Sequence, residues 1–234
     1  MAETASVPRT SIAATSSTMA GQTTIGSAEA MWTAAKSGDV DTVQHLLRKS
    51  VDVNAADANG WTALMFAAKQ GNREIVRILL SAGANIDAKA NDGSSALIIA
   101  TGAGHTQVVA ALIEAGTEVS ARNGAGLTAL NVALEKGHRE IEGLLVSRIR
   151  ALNKRVAEVQ RLLTELGYNP GPADGLFGRR TAAAIRAYQR EVGLRVDGIV
   201  SDALVEHART SVEQRRLAEQ PEAPDEKKQT GQGG

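Results

Sequence analysis

The hydrophobic and polar positions of this chain recur with a period of 33. Leu46, Leu79, Leu112 and Leu145 fall 33 residues apart, as do Ala34, Ala67, Ala100 and Ala133, and Gly38, Gly71, Gly104 and Gly137. Columns repeating in phase over four units define a repeat array. Each unit reads as two helices. Gly60, Gly93 and Gly126 lie in turn-forming contexts such as Asp57-Ala58-Asn59-Gly60, and Thr62, Ser95 and Thr128 follow as helix N-caps. A short helix then runs to Gly71, Gly104 or Gly137, each suited to the left-handed C-terminal position. A second helix, over 73–82 in the second unit, carries Ile75, Val76, Leu79 and Leu80 on one face. Gly83 and Gly116 end this outer helix. The small Ala columns let neighbouring helix pairs approach closely. One such unit cannot bury its own apolar face, but stacked units can.

Past residue 148 the pattern changes. An amphipathic helix over 157–167 is apolar at Val159, Leu162, Leu163 and Leu166, and Asn169-Pro170-Gly171-Pro172 is a turn that no helix crosses. A second helix over 179–192 has Ala184, Ile185 and Tyr188 on one face, and a third begins near Ser201. Two Asp-Gly pairs, Asp174-Gly175 and Asp197-Gly198, each precede an apolar residue, Leu176 and Ile199, and then a helix start. This pseudo-repeat suggests that each turn drops an apolar plug into a three-helix core. Between the two regions, Ile141, Leu145, Ile149, Leu152, Val156, Val159, Leu163 and Leu166 form one apolar seam, with no Pro and only Gly143 along it. The seam predicts a single helix through the join, roughly 40 Å long at 1.5 Å per residue, acting as a rigid bracket. The alternative is two helices kinked across 147–153.

Composition narrows the chemistry. Hydrophobic residues make up 43 % of the 234, enough for a core, and at 3 % aromatics that core is aliphatic. Lys+Arg and Asp+Glu balance at 26 each, so no global field draws in nucleic acid or anionic lipid. With no cysteine there are no disulfides, thiolate nucleophiles or Cys-based zinc sites. Apolar runs such as Ala96-Leu97-Ile98-Ile99-Ala100 fall far short of the roughly 20 residues a membrane span needs. Residues 1–27 are expected to be a disordered polar lead-in without the roughly 7–15 apolar residues of a secretory signal. Residues 213–234 are expected to be a disordered tail.

The 33-residue units, with Thr62-Ala63-Leu64, Ser95-Ala96-Leu97 and Thr128-Ala129-Leu130 opening three of them, resemble ankyrin repeats over about 28–148. The resemblance implies an all-α solenoid of four repeats with short β-turn tips, and a protein partner held on its concave surface. Ala63, Ala96 and Ala129 stand where that family usually has Pro, and Met65, Ile98 and Asn131 where it has His. Because that His normally ties adjacent repeats, the array is expected to lean more on apolar packing. Carried over by position, the partner-binding residues are Trp61, Ser94 and Leu127 at exposed tips, with Asn59, Asn91, Asp92 and Arg122 beside them. Lys69 and Gln70 join them at the exposed end of an inner helix. An exposed Trp is a typical interface hot spot; the alternative is that Trp61 merely lies against its neighbouring turn.

The string Val159-Gln160-Arg161-Leu162-Leu163, Gly171-Pro172-Ala173-Asp174-Gly175-Leu176-Phe177-Gly178, Ala187-Tyr188-Gln189-Arg190 and Val196-Asp197-Gly198-Ile199 resembles the small peptidoglycan-binding domain found beside many bacterial cell-wall hydrolases. The likeness places that domain, a small three-helix fold, at 149–212. Its motif residues here are Tyr168, Asp174, Gly175, Phe177, Gly178, Arg179, Thr181, Tyr188, Gln189, Asp197 and Gly198. Tyr188 stands where the family usually has Phe, and Arg179 where Pro is common. Most of these residues have evident structural tasks. Arg179, Arg180, Arg186, Arg190 and Arg195 cluster with Glu191 as the only acid among them. That suits the carboxylates of peptidoglycan stem peptides, which Arg grips bidentately; an ordinary solvated helix face is the alternative.

No catalytic constellation is legible. His105 and His138 occupy one repeat register, while His45 and His207 stand alone, so no metal site is expected. Asp174 and Asp197 could be imagined as an acid–base pair, but their matched Asp-Gly contexts favour turn capping. Neither a phosphate-binding loop nor a calcium loop occurs, and no cofactor is expected. The residues read as a non-catalytic adaptor: it binds a protein partner through the repeats and tethers to peptidoglycan in the periplasm or cell envelope. The alternatives are a cytoplasmic interaction scaffold whose C-terminal module is structural only, and a regulatory subunit of a cell-wall hydrolase.

Overall fold

A computed structural model describes residues 16–219. Among them are ten helices: α1 (Ser16–Ser37), α2 (Val40–Arg48), α3 (Ala63–Gln70), α4 (Arg73–Ser81), α5 (Ala96–Gly102), α6 (Thr106–Glu114), α7 (Ala129–Lys136), α8 (Arg139–Glu165), α9 (Arg179–Glu191) and α10 (Asp202–Ala218). The described residues contain no strand; isolated antiparallel bridges join Ala56 to Thr62 and Lys89 to Ser95 at two turn tips. The protein is all-α, a repeat solenoid followed by a small three-helix domain. Two compact units meet between Arg148 and Ile149.

In the first unit, inner helices α3 and α5 are buried almost all round, from Ala63 to Ala68 and from Ala96 to Thr101. Outer helices α4 and α6 bury one face each, through Ile75, Val76 and Leu79 and through Val108, Val109, Ala111 and Leu112. Leu79, Leu112 and Leu145, the leucine column of the repeat, are fully buried, while Leu46 in the first repeat is only half-buried. Outer helices start at Asp39 and Asn72, whose side chains accept from the N–H groups of Thr42 and Ile75. At the inner helices the expected caps are uneven. Thr128 and Asn131 form a capping box, and Ser95 accepts from Ile98 at 3.4 Å. Thr62, in the same register, makes no capping bond, and its buried hydroxyl lacks a partner.

Adjacent repeats are tied by more than the apolar packing expected from Met65, Ile98 and Asn131. His105 Nε2 lies 3.0 Å from the Lys69 carbonyl oxygen of the preceding repeat. Gly71 makes room for this histidine: at φ +76°, a Cβ there would sit 2.6 Å from His105 Nδ1. At the tips, the Asn91 N–H donates to the Asn59 carbonyl at 2.9 Å, and the Gly124 N–H to that of Asp92 at 2.7 Å. Backbone polar groups lost to a buried interface need such partners.

Helices occupy part of both segments expected to be disordered. Helix α1 already covers residues 16–27 of the lead-in. Ala28, Met31, Ala34 and Ala35 are buried; once that face is packed, extending the helix backwards requires no new nucleus. Helix α10 likewise runs past residue 213 to Ala218, with Val212 buried on its inner face. Residues 1–15 and 220–234 lie outside the described residues.

Residues Arg139–Glu165 form one helix, α8. Its seam is buried at Ile141, Leu145, Val156, Val159 and Leu163, and half-buried at Ile149 and Leu152. Trypsin is therefore expected to cut slowly at Arg148, Arg150, Lys154 and Arg155, since cleavage requires local unwinding of a packed helix. Rapid cuts there, traced by mass spectrometry of early fragments, would show that the helix opens. In the second unit the latter part of α8 packs with α9 and α10 around Val159, Leu163, Ile185, Tyr188, Leu204 and Ala208.

Candidate functional site

The turn tips of the repeat unit sort into joinery and free surface. Asn91 donates its side-chain amide to the Ala58 carbonyl at 3.0 Å. The Asp92 carboxylate accepts from both the backbone N–H and the hydroxyl of Ser94, at 2.9 and 3.0 Å. Ser94 is buried, not an exposed tip residue as its register suggests, because its short side chain folds back onto Asp92. Arg122 is exposed but turns back to the Gly126 carbonyl at 2.6 Å. Leu127 is half-buried, with its N–H on Asn123. Asn59, Lys69 and Gln70 are exposed.

Trp61 is half-buried rather than fully exposed. Its ring packs on Phe66 of the following helix, with centroids 5.1 Å apart and a 38° tilt. On the Phe66 ring, Lys36 of the preceding repeat places its ammonium 4.0 Å from the centroid. Neither reading of Trp61 from sequence included this partner, although Phe66 stands only five residues on and is one of two Phe in the chain. Tryptophan, phenylalanine and lysine thus make one apolar, cationic patch. An aromatic pair contributes about 0.5–1.5 kcal/mol beyond burial, so Trp61→Ala is expected to cost about 1 kcal/mol of repeat stability. Urea unfolding followed by circular dichroism measures it; a loss above about 3 kcal/mol would make Trp61 a core residue.

The two Asp-Gly turns of the second unit are built alike, but not as plugs. Leu176 and Ile199 are 65 % and 59 % exposed. What enters the interior beneath each turn is a glutamine. Gln160, buried on α8, accepts from the Gly175 N–H at 3.0 Å. Its amide nitrogen lies within 3.2 Å of Asp174 Oδ1, the Leu176 carbonyl and the Thr181 hydroxyl. Gln189, buried on α9, accepts from the Gly198 N–H at 2.9 Å and donates to Asp197 at 2.8 Å. Each Asp also accepts from the N–H two residues on, Leu176 or Ile199, at 2.9 Å. A buried amide satisfied at both ends clamps each turn, so the apolar residue is held outward. Gln160 was not singled out from sequence; the signal is the Gln-Arg pair that precedes each Asp-Gly, Gln160-Arg161 and Gln189-Arg190.

Gly175, at φ +76°, presses its backbone on α8: a Cβ would meet the Asn153 carbonyl oxygen at 2.5 Å. Thr181 is buried and donates to the Pro170 carbonyl at 3.1 Å. Tyr188 is buried, and its hydroxyl, absent from the Phe usual at this place, lies 2.6 Å from His207 Nδ1 and 2.9 Å from Ser211 Oγ. Both partners come from α10, so the tyrosine is accommodated by a local polar pair. Burial raises the Tyr188 pKa, with the Glu191 charge adding to it. Tyr168 is half-buried, bonds Glu191 through its hydroxyl, and is pushed up to about 12 by burial and then by that carboxylate. Phe177, Gly178 and Arg179 are exposed.

Asp197 has the electrostatics of a turn cap. The Ile199 N–H, then the Gln189 amide and Arg195, hold its carboxyl below the ordinary value. A general acid needs the opposite shift. Among the described residues no three His, Asp or Glu side chains come together as a metal site, and no helix is long and apolar enough to cross a membrane.

Comparison with known families divides the chain in the same sense as the two folds. Residues 17–90 and 83–156, together more than half of the chain, match the model described as "Ankyrin repeats (3 copies)". Residues 153–207 match that described as "Putative peptidoglycan binding domain". Two curated relatives are similar over shorter stretches. One is the "Putative OxPP cycle protein OpcA" of Synechocystis sp. (strain ATCC 27184 / PCC 6803 / Kazusa), 37 % identical over 75 residues, which are 31 % of this chain and 16 % of that protein. The other is the "N-acetylmuramoyl-L-alanine amidase CwlM" of Mycobacterium tuberculosis (strain ATCC 25618 / H37Rv), 50 % identical over 44 residues, 19 % of this chain and 11 % of that protein. The matches thus span less than a fifth of either relative's length.

Proposed function

The chain belongs to the ankyrin-repeat family and carries a peptidoglycan-binding domain, and from that premise we propose that it is a non-catalytic adaptor linking a protein partner to peptidoglycan. The observation that carries this reading is the tandem of two binding modules over residues 17–207. The partner would lie on the tip and inner-helix surface around Trp61, Lys36, Lys69 and Gln70, with Asn59, Arg122 and Leu127 at its edge and the buried Phe66 ring supporting Trp61 and Lys36 from beneath. Asn91, Asp92 and Ser94 would act indirectly, by holding the tips. In this reading the protein works in the periplasm or cell envelope.

Co-sedimentation of the full-length protein with purified peptidoglycan tests the proposal. Binding is expected at low salt and should weaken at physiological ionic strength, where exposed charges are screened within about 8 Å. A protein left in the supernatant at low salt would be read instead as a scaffold whose C-terminal module is structural. A second reading, regulation of a cell-wall hydrolase, is favoured by the 50 % identity over 44 residues to a protein named an amidase. It predicts that adding this protein changes the rate at which such an amidase clears peptidoglycan.

A further inference from the structure

Among the described residues, the arginines of the second unit divide into ion-paired ones and unpaired ones, and the unpaired ones include Arg150 and Arg161, exposed on α8, as well as those on α9. Arg155, Arg209, Arg215 and Arg216, on α8 and α10, are each engaged by a carboxylate: Asp202, Glu158 with Glu206, Glu219 and Glu165 respectively. Arg179, Arg180, Arg186 and Arg190, on α9, form no ion pair among the described residues, and Arg195 only reaches Asp197 at 3.9 Å. Three of the free cations lie in line. Arg179, Ala183, Arg186 and Arg190 are all exposed and stand 4, 3 and 4 residues apart, one outward stripe opposite the buried Thr181, Ile185 and Tyr188. At 1.5 Å per residue the stripe extends roughly 16 Å.

Helix stability does not account for this stripe. Two arginines and no acid occupy the first turn of α9, where the positive end of the helix disfavours cations. The stripe also adjoins the clamped turns. Arg179 follows Phe177 and Gly178 directly, and Arg186 lies across Gly198, where a Cβ would come within 2.8 Å of its Nε. Those turns hold Leu176, Phe177, Val196 and Ile199, four of the six large hydrophobic side chains exposed among the described residues. A face that combines unpaired guanidinium groups with outward aliphatic side chains fits a ligand that carries carboxylates on a short aliphatic peptide. Nucleic acid would call for stacking aromatics, and Phe177 is the only one there.

We propose that the outward stripe of α9 and the two clamped turns recognise the peptide stems of peptidoglycan through their carboxylates, rather than the glycan strand. This rests on the peptidoglycan reading above and assigns it a chemical group and a surface. The experiment is co-sedimentation of the full-length protein with two preparations of one peptidoglycan: intact, and stripped by treatment with an N-acetylmuramoyl-L-alanine amidase. That enzyme hydrolyses the amide, releases the stem peptide with its carboxylates and leaves one lactyl carboxylate on each muramic acid of the strand. The wild type is expected to bind the stripped glycan about tenfold more weakly or worse, the loss of charge-assisted hydrogen bonds. An Arg186→Gln, Arg190→Gln double variant should bind the intact material with a similar deficit and be indifferent to stripping. Arg209→Gln, on a cation already paired, should behave as wild type. Equal binding of the wild type to both preparations would overturn the proposal and leave the peptidoglycan reading standing, as would a double variant that binds intact material normally. Binding to neither would sink the peptidoglycan reading itself. Tighter binding to single-stranded DNA than to intact peptidoglycan would overturn the choice of ligand.

Discussion

Gln160→Ala is expected to destabilise the C-terminal unit by about 3 kcal/mol, combining an unsatisfied buried donor with a small cavity. The glutamine is buried at 1 % exposure and joins α8 to the first Asp-Gly turn. Its removal leaves the buried Gly175 N–H without an acceptor, and takes one partner each from Asp174, the Leu176 carbonyl and Thr181. Thr181 retains its bond to the Pro170 carbonyl, so the helix start should survive while the turn loosens. The effect can be read separately in each unit, because both tyrosines, Tyr168 and Tyr188, lie in the second and both tryptophans, Trp32 and Trp61, in the first. Denaturant unfolding followed through tyrosine should move to lower urea, with the tryptophan transition in place. A shift worth less than about 1 kcal/mol would mean that the backbone holds the turn without the clamp. Gln189→Ala should act in the same direction on the second turn, where the glutamine makes two of these bonds rather than four.

Leu79→Ala should cost the repeat unit about 3–4 kcal/mol, within the range for a fully buried leucine. Leu79 lies on α4 in the interior of the array, with no exposure. A repeat array is held by contacts between neighbouring units, so a cavity there weakens the coupling on both sides. Leu46→Ala removes the same side chain from the same register, but that leucine is half-buried in the first repeat. It should cost less than half as much. Tryptophan-detected unfolding measures both. Equal losses would mean that register, not burial, sets the energetics of this column.

Much of the fold is legible in the chain because it depends on short-range information. The 33-residue period, the helix following each turn glycine and the leucine column all follow from local propensity and from spacing along one helix. The seam through α8 is equally local: its apolar steps of three and four residues specify one face whatever that face meets. Gly71 and Gly175 could be recognised as turn glycines, and their positive φ bears this out. What each glycine makes room for, His105 in one case and the Asn153 carbonyl in the other, could not.

The surfaces were decided by side-chain contacts that the hydrophobic pattern does not contain. Hydrophobic pattern alone puts Leu176 and Ile199 inside and Gln160 and Gln189 outside. The structure reverses both, because a buried glutamine that satisfies a glycine N–H and an aspartate closes a turn that no aliphatic side chain could close. Trp61 and Ser94 share one register, yet the large ring reaches Phe66 under Lys36 while the small hydroxyl folds onto Asp92. Charge shows the same limit. The sequence by itself determined how many arginines there are and which helices carry them. Spacing along α10 alone accounts for Arg209 with Glu206 and Arg215 with Glu219. Only the tertiary structure brought Arg155 to Asp202, Arg209 to Glu158 and Arg216 to Glu165, because those pairs depend on distances between α8 and α10 that residue spacing along the chain does not contain.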